Sequence, residues 1–484
     1  MNLYDTVELV TGNYNPKDCN IGILHVGPGN FHRAHQAVYI HRLMSETNDL
    51  KWGIAGVNLR PESKELLDDF KKCDGSYILE TISPEGDFVH EKIDSIVGLY
   101  DWDDEKNKVL ALFVSNDLKM ITVTVTESGY SINNDRTLDT KANEIIEDSK
   151  FKSTKTIYGF LYEGLSHRMD SNGGPITIAC CDNLQNNGKL LESCFKDFIS
   201  LQNNSKLLDW VNNNVSFPCS MVDRITPKPN PNSVQLICSQ YNLNGNCVVI
   251  GEDYLQWVLE DSFISERPQL EKVGVQVVKD VHPYEETKIR ILNAGHTTLT
   301  YFGVLEGYKT YDEAVTDQKL TVFFDNIQER EIIPALPDEY PINYQQYVST
   351  TKNRFTNKHI ADSLERICMD GVEKFKVFLH PTIKGNLENG NIPIYSIQGI
   401  ASWYVFATKF LEGKLTIGYH EPSWDILKTF LSEDRIDDFS SSEIFWGDIP
   451  KKHPEFSKHL SEEIRTMKHR YQEWPYEHIG ENLG

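Results

Sequence analysis

The run IGILHVGPGNFHRAHQAVYIHRLM, Ile21 to Met44, reads as a short apolar strand, a glycine turn and a helix from about Phe31. Strand, glycine turn and helix in that order hold a dinucleotide, with its phosphates at the helix N-terminus. The glycines stand as GxGxxH, so His32 takes the place of the third glycine that normally lets helix and strand pack closely. A plain tight turn is the competing reading of so short a motif.

Working outward, Trp52 to Val57 reads as a second strand with Glu62 just beyond it. An acid after the second strand can hold the adenosine ribose hydroxyls and repel a 2′-phosphate, or it can be a plain surface charge. Tyr77 to Ile93 has the pattern of a hairpin turned at Pro84-Glu85-Gly86-Asp87. Met120 to Thr126 alternates apolar and hydroxyl residues as a strand ending at Glu127, and its end is expected to face the cofactor. Pro175 to Cys181 is a further strand ending on Asp182-Asn183. Ligands bind beyond the carboxyl ends of such strands, so Asn183 is placed to meet substrate, with an Asx turn or helix cap as the alternative. Asp223 beside Arg224 suggests either a site or an internal salt bridge. Cys247 to Ile250 is the last candidate strand, and an amphipathic helix is expected from Asp253 to Phe263.

Past Pro283 the texture becomes helical. Tyr284 to Gly303, YEETKIRILNAGHTTLTYFG, contains no proline and predicts one helix of about five turns. On a wheel at about 100° per residue, Glu285, Lys288, Asn293 and His296 fall within an arc of about 140°, and apolar residues fill much of the remainder. Buried polar groups cost about 1–3 kcal/mol each unless paired, so four on one face suggest a site. A lysine whose charge is disfavoured accepts a proton from an alcohol. An amide such as Asn293 stabilises the alkoxide, and His296 orients a second hydroxyl. Further helices are expected over Tyr311 to Gln328, Ile360 to Met369, Tyr395 to Leu411 and Glu455 to Tyr471. The expectation is an α/β chain: a doubly wound Rossmann-like domain over 1–283, a mainly α-helical domain over 284–484, and the active site between them.

The 48 Lys plus Arg against 71 Asp plus Glu leave a net charge of −23 and no basic stripe, which argues against nucleic-acid and anionic-membrane partners. No apolar run approaches the 18 or so residues of a membrane span. Nine scattered cysteines without a CxxC pair, and no secretory signal, predict reduced thiols in the cytoplasm. Zinc would need clustered Cys, His and acid ligands, and none flanks His296, so no metal is expected. A sugar- or nucleotide-sensing protein on the same fold is the non-enzyme alternative.

Gly27-Pro28-Gly29-Asn30-Phe31-His32-Arg33-Ala34-His35, Cys181-Asp182-Asn183, Ser220 to Arg224 and the Lys288, Asn293, His296 array resemble the polyol-specific long-chain dehydrogenases, the mannitol dehydrogenase family. The resemblance implies a metal-independent NAD enzyme acting on a polyol or ketose, as a monomer or weak oligomer. Lys288 would be the general base, Asn183 and Asn293 the oxyanion pair, His296 a substrate ligand and Glu285 a proton-relay carboxylate. Asp223, Arg366 and Lys374 would contact the polyol chain. The cofactor would meet Gly27, Gly29, Asn30, Phe31, Glu62, Thr126 and Glu127. Three departures stand out: Ala294-Gly295 between Asn and His, Ser63 after Glu62, and Gly371-Val372 near Lys374. The Tyr77 to Gly86, Thr154 to Gly159 and Pro283 to Asn293 stretches resemble the branch that oxidises D-arabinitol to D-xylulose. D-mannitol oxidation to D-fructose and hexuronate reduction are the alternatives within the family.

Overall fold

Six strands make one sheet: Ile21–Val26 (β1), Gly53–Asn58 (β2), Ile96–Asp101 (β3), Met120–Val123 (β4), Ile176–Cys180 (β5) and Val215–Ser216 (β6). Their order is β3-β2-β1-β4-β5-β6, and every neighbouring pair is parallel. That is the doubly wound order, whose direction of winding reverses between β1 and β4. Alternate residues of β1 serve two cores, as a period of two requires. Leu24 and Val26 pack with Phe113, Phe160 and Phe195, while Ile23 packs with Ala37, Val38 and Leu43. Both faces are covered, so the strands read as unbroken apolar runs.

This computed structural model describes residues 7–133, 135–150, 154–243, 247–432 and 434–472. It divides into two units, Met1–His282 and Pro283–Gly484. In the first, the helix expected after the glycine turn is two helices, Asn30–Ala34 (α1) and Gln36–Thr47 (α2), broken at His35, whose φ of −128° and ψ of −90° are not helical. The hairpin forms between Tyr77–Ile82 and Phe88–Ile93. The helix expected over Asp253 to Phe263 is instead a strand, Gln256–Glu260. It pairs antiparallel with Ser220–Asp223 and parallel with Gln276–Val278. Buried Trp257, Val258 and Leu259 explain the change, because an aromatic and β-branched run suits a covered strand.

The thiols are not all free. Cys73 and Cys247 form a disulfide across a separation of 174 residues, while Cys19, Cys180, Cys181, Cys194, Cys219, Cys238 and Cys368 remain thiols. Dispersion along the sequence hid this pair because the parallel pairing of Tyr77–Ile82 with Val248–Glu252, not the local chain, brings its halves together.

The second unit is mainly helical. Its long Ile394–Leu411 helix packs against both Ala294–Leu305 and Pro454–Arg470. The helix expected over Tyr311 to Gln328 is divided at Asp317, whose carboxylate caps the amides of Lys319 and Leu320. Between Ile360 and Met369 only Leu364–Ile367 is helical. No helix among the described residues is long and apolar enough to cross a membrane.

Candidate functional site

The carboxyl ends of β1, β2 and β4 border a cavity of about 500 Å³ lined by Gly27, Pro28, Gly29, Glu62, Ser63 and Thr124 to Thr126, among others. That size is in the range of small-molecule and cofactor sites. Gly27 has a φ of +85°, and a Cβ there would lie 2.1 Å from the Thr124 carbonyl oxygen, so only glycine makes this turn. A Cβ on Gly29 would meet nothing nearer than the Gly27 oxygen at 3.9 Å, which leaves that side of the turn clear for a ligand. With Glu62 exposed at the rim, the residues fit a dinucleotide: a bare backbone turn for phosphates and a carboxylate for ribose hydroxyls.

His32 does what a third glycine would do, by different means. Its ring stacks on that of His25 with centroids 3.3 Å apart and planes inclined by 12°. The His25 ring is hydrogen-bonded to Thr122 Oγ1 at 2.8 Å and Thr124 Oγ1 at 3.0 Å. Burial pushes His25 down to about 3 and lowers His32 as well, so two neutral rings brace the floor of the turn. Asn30 borders a second cavity and accepts a hydrogen bond from Arg33. Phe31 stacks on His35 at 5.0 Å, and Glu127 follows Thr126 as the first residue of a 3₁₀ turn. The strand expected to reach Thr126 ends at Val123.

Asn183 is exposed in the turn after β5. Asp223 is buried at the end of its strand. Arg224 donates to the backbone oxygens of Glu252 at 2.8 Å and Ala34 at 2.6 Å, so its main bonds are to carbonyls and not to the adjacent acid.

The decisive run of the second unit is not a continuous α-helix. His282–Thr287 is α-helical, Lys288–Asn293 is a π-helix, and Ala294–Leu305 is α-helical again. The Ala294 amide bonds the Ile289 carbonyl, five residues back. In an α-helix residues five apart differ by about 140° around the axis, and the wider i→i+5 turn draws them toward one face. Lys288 and Asn293 are such a pair, so the polar face is tighter than an α-helical wheel suggests. Lys288 and Glu285 are both buried. A side chain from outside the run props the wide turn: buried Gln328 donates to the Ile291 carbonyl at 2.8 Å.

His296 lies between aromatic rings, stacked on Phe355 at 4.9 Å and edge-on to Tyr311 at 4.3 Å. Its Nε2 is buried, has no hydrogen-bond partner among the described residues, and lies 4.0 Å from Asp362 Oδ2. Burial pushes the ring down to about 3, with Asp362 opposing and Arg366, Lys374 and Arg354 adding to the fall. The ring is therefore neutral near pH 7. Asp362 also holds Arg366 at both ends of its guanidinium, Nε at 2.8 Å, and Lys374 donates to the Ile367 carbonyl at 2.7 Å. Sequence reasoning missed Asp362, although its place four residues before Arg366 in the helical repeat was a usable signal. Gln328 carried no such signal.

Val372, expected near the polyol pocket, is fully buried, and its amide is held by Glu421 at 3.0 Å. Glu421 also accepts from the Tyr419 hydroxyl at 2.8 Å. The Asp370 amide bonds the His420 carbonyl at 2.9 Å, and Gly418 bonds Glu365 at 3.1 Å. The segment from Gly418 to Glu421 is thus tied to the elements that carry Arg366 and Lys374.

Residues 21–272 match the mannitol dehydrogenase Rossmann domain, and residues 280–468 match the mannitol dehydrogenase C-terminal domain. A D-arabinitol 4-dehydrogenase of Klebsiella pneumoniae is 34% identical over 429 residues, covering 88% of this chain and 94% of the relative. A mannitol 2-dehydrogenase of Neosartorya fischeri is 37% identical over 369 residues, 75% of this chain and 73% of the relative. The solved ternary complex of Pseudomonas fluorescens mannitol 2-dehydrogenase with NAD and D-mannitol has a TM-score of 0.83 at 31% identity, covering 96% of this chain and 97% of that one. With both halves matched, the chain belongs to the mannitol dehydrogenase family.

Proposed function

We propose that this protein oxidises D-arabinitol at C4 to D-xylulose, reversibly, with Lys288 as general base. As a member of its family it is an NAD-dependent polyol dehydrogenase. The observation that carries the proposed chemistry is the face of Lys288, Asn293 and His296 on a run whose π turn aligns the first two. Bound NAD+ would supply the hydride acceptor for the carbinol carbon. The chain's own residues do the rest. Burial favours the neutral form of an amine, the form in which Lys288 takes the hydroxyl proton. The Asn183 and Asn293 amides donate to the alkoxide oxygen as its charge develops. Glu285, three residues before Lys288, passes the proton onward. Neutral His296 orients a neighbouring hydroxyl, and Asp223, Arg366 and Lys374 read the remainder of the chain. Gly27, Gly29, Asn30, Phe31, Glu62, Thr126 and Glu127 hold the cofactor.

The pentitol preference is supported by the D-arabinitol 4-dehydrogenase relatives and by the anchored Gly418 to Glu421 segment beside Arg366 and Lys374. The mannitol 2-dehydrogenase relatives favour D-mannitol to D-fructose as the second reading. The test is kcat/KM for both polyols at one pH and saturating NAD+, with the ketose identified. A mannitol preference, or D-ribulose from D-arabinitol, would overturn the pentitol reading. Lys288→Ala should lower kcat by about 10²–10⁴-fold while NADH still binds, and near-normal turnover would remove Lys288 from the base role.

A further inference from the structure

Beyond the end of β4 the backbone adopts a conformation that threonine seldom takes. Thr126 has a φ of 66° and a ψ of 159°, a region that is essentially glycine's own. A β-branched side chain is among the least suited to it. One carboxylate meets this strained peptide. Asp182 Oδ1 accepts from the Thr126 amide at 3.1 Å, and Oδ2 accepts from the Val125 amide at 2.8 Å. Oδ2 also accepts from the hydroxyl of fully buried Tyr130 at 2.6 Å. On the other side of the same peptide run, Arg60 donates to the Val125 carbonyl at 2.9 Å. These three bonds of the Asp182 carboxylate all reach across to the strand-end of β4 and its turn. Its own loop is held by its backbone oxygen, which accepts from the Leu184 amide and from Asn187.

Val125 and Thr126 line the cofactor cavity, and Asn183 follows Asp182 directly. We propose that Asp182 is a positioning residue for the cofactor site: its carboxylate holds the Val125–Thr126 peptides in their strained turn and so sets the cavity wall. It acts through the backbone of its neighbours. The same anchor fixes the start of the turn bearing Asn183, a second consequence that rests on the role proposed for Asn183. Glycine would be the undemanding residue at position 126. Threonine persists there because the surrounding bonds over-determine the conformation.

A mutant cycle on the full chain tests this. Asp182→Asn keeps the volume but replaces one accepting oxygen with a donor that faces an amide. It should weaken NADH binding, followed by fluorescence titration, by about tenfold. It should also lower the urea midpoint of the cofactor-free chain. KM for NAD+ should rise while KM for the polyol stays within about twofold. In the Thr126→Gly background the same substitution should cost much less on each readout, because glycine holds the turn unaided. Equal losses of NADH affinity in both backgrounds, or no loss from Asp182→Asn, would overturn the proposal. Should Asp182→Asn not fold, Thr126→Gly decides alone: a raised urea midpoint supports strain at position 126, and a lowered one refutes it. The NADH titration needs no polyol, so a chain that oxidises no pentitol leaves this test intact.

Discussion

Replacing Gly295 with alanine would put a methyl group where the amide of Gln328 lies. The added Cβ would sit 2.6 Å from Gln328 Nε2 and 2.8 Å from Phe324 Cε2. Both neighbours are fully buried, so neither has open space to retreat into. Gln328 Nε2 is the donor to the Ile291 carbonyl inside the π turn, and pushing it aside breaks that bond. Three magnitudes compete. Glycine to alanine within a helix is favourable by about 0.5–1 kcal/mol. Overpacking of a filled core costs about 1–3 kcal/mol, and a buried carbonyl left without its donor costs about 1–3 kcal/mol more. The unfavourable pair wins, and Gly295→Ala should destabilise the protein by about 1–5 kcal/mol. The assay is guanidinium unfolding followed by far-UV circular dichroism, in parallel with kcat. On the proposed mechanism kcat should also fall by about tenfold, since the turn that aligns Lys288 with Asn293 is disturbed. In a Gln328→Ala background the added methyl should cost less, with a coupling of about 1 kcal/mol or more. A Gly295→Ala chain as stable as wild type, or more stable, would show that helix propensity prevails and that Gln328 does not prop the turn.

Stability should fall as the solution is acidified from pH 6.5 to 4. His25 and His296 are held at about 3 and His380 at about 4, below the ordinary value of about 6.5. The unfolded chain therefore takes up protons that the folded one refuses, at up to about 1.4 kcal/mol per group per pH unit; a urea midpoint flat across that range would contradict the burial of these rings. The disulfide closes a separation of 174 residues, worth up to about 5 kcal/mol in the chain-entropy account. Reductant should lower the thermal midpoint, and rapid alkylation of the native chain should leave Cys73 and Cys247 unlabelled. Labelling of both in the absence of reductant would refute the bridge. Glu62→Lys should shift the ratio of kcat/KM toward NADP+ over NAD+, and an unchanged ratio would place the adenosine ribose elsewhere.

Much of the fold was legible in the order of residues because its signals are local. The apolar run of β1, the glycine turn and the hairpin around Pro84 to Asp87 each declare themselves within a few residues. The polar face of Lys288, Asn293 and His296 shows as a helical repeat. What the chain order could not carry are features set by distant partners. The π turn needs Gln328 to donate to the displaced Ile291 carbonyl, and nothing near Lys288 announces a glutamine forty residues on. His35 breaks its helix while its ring bonds the Gln256 carbonyl at 2.8 Å, a partner on another strand. Residues 256 to 260 have the apolar content of either a helix or a strand, and pairing with Ser220–Asp223 chose the strand. The same holds for Cys73 with Cys247 and for Asp182 with Thr126. Sequence periodicity reports which face an element buries. Which backbone hydrogen bonds are kept, bent or handed to a side chain depends on groups that only the folded chain brings within 3 Å or so, and those bonds set the geometry of the site.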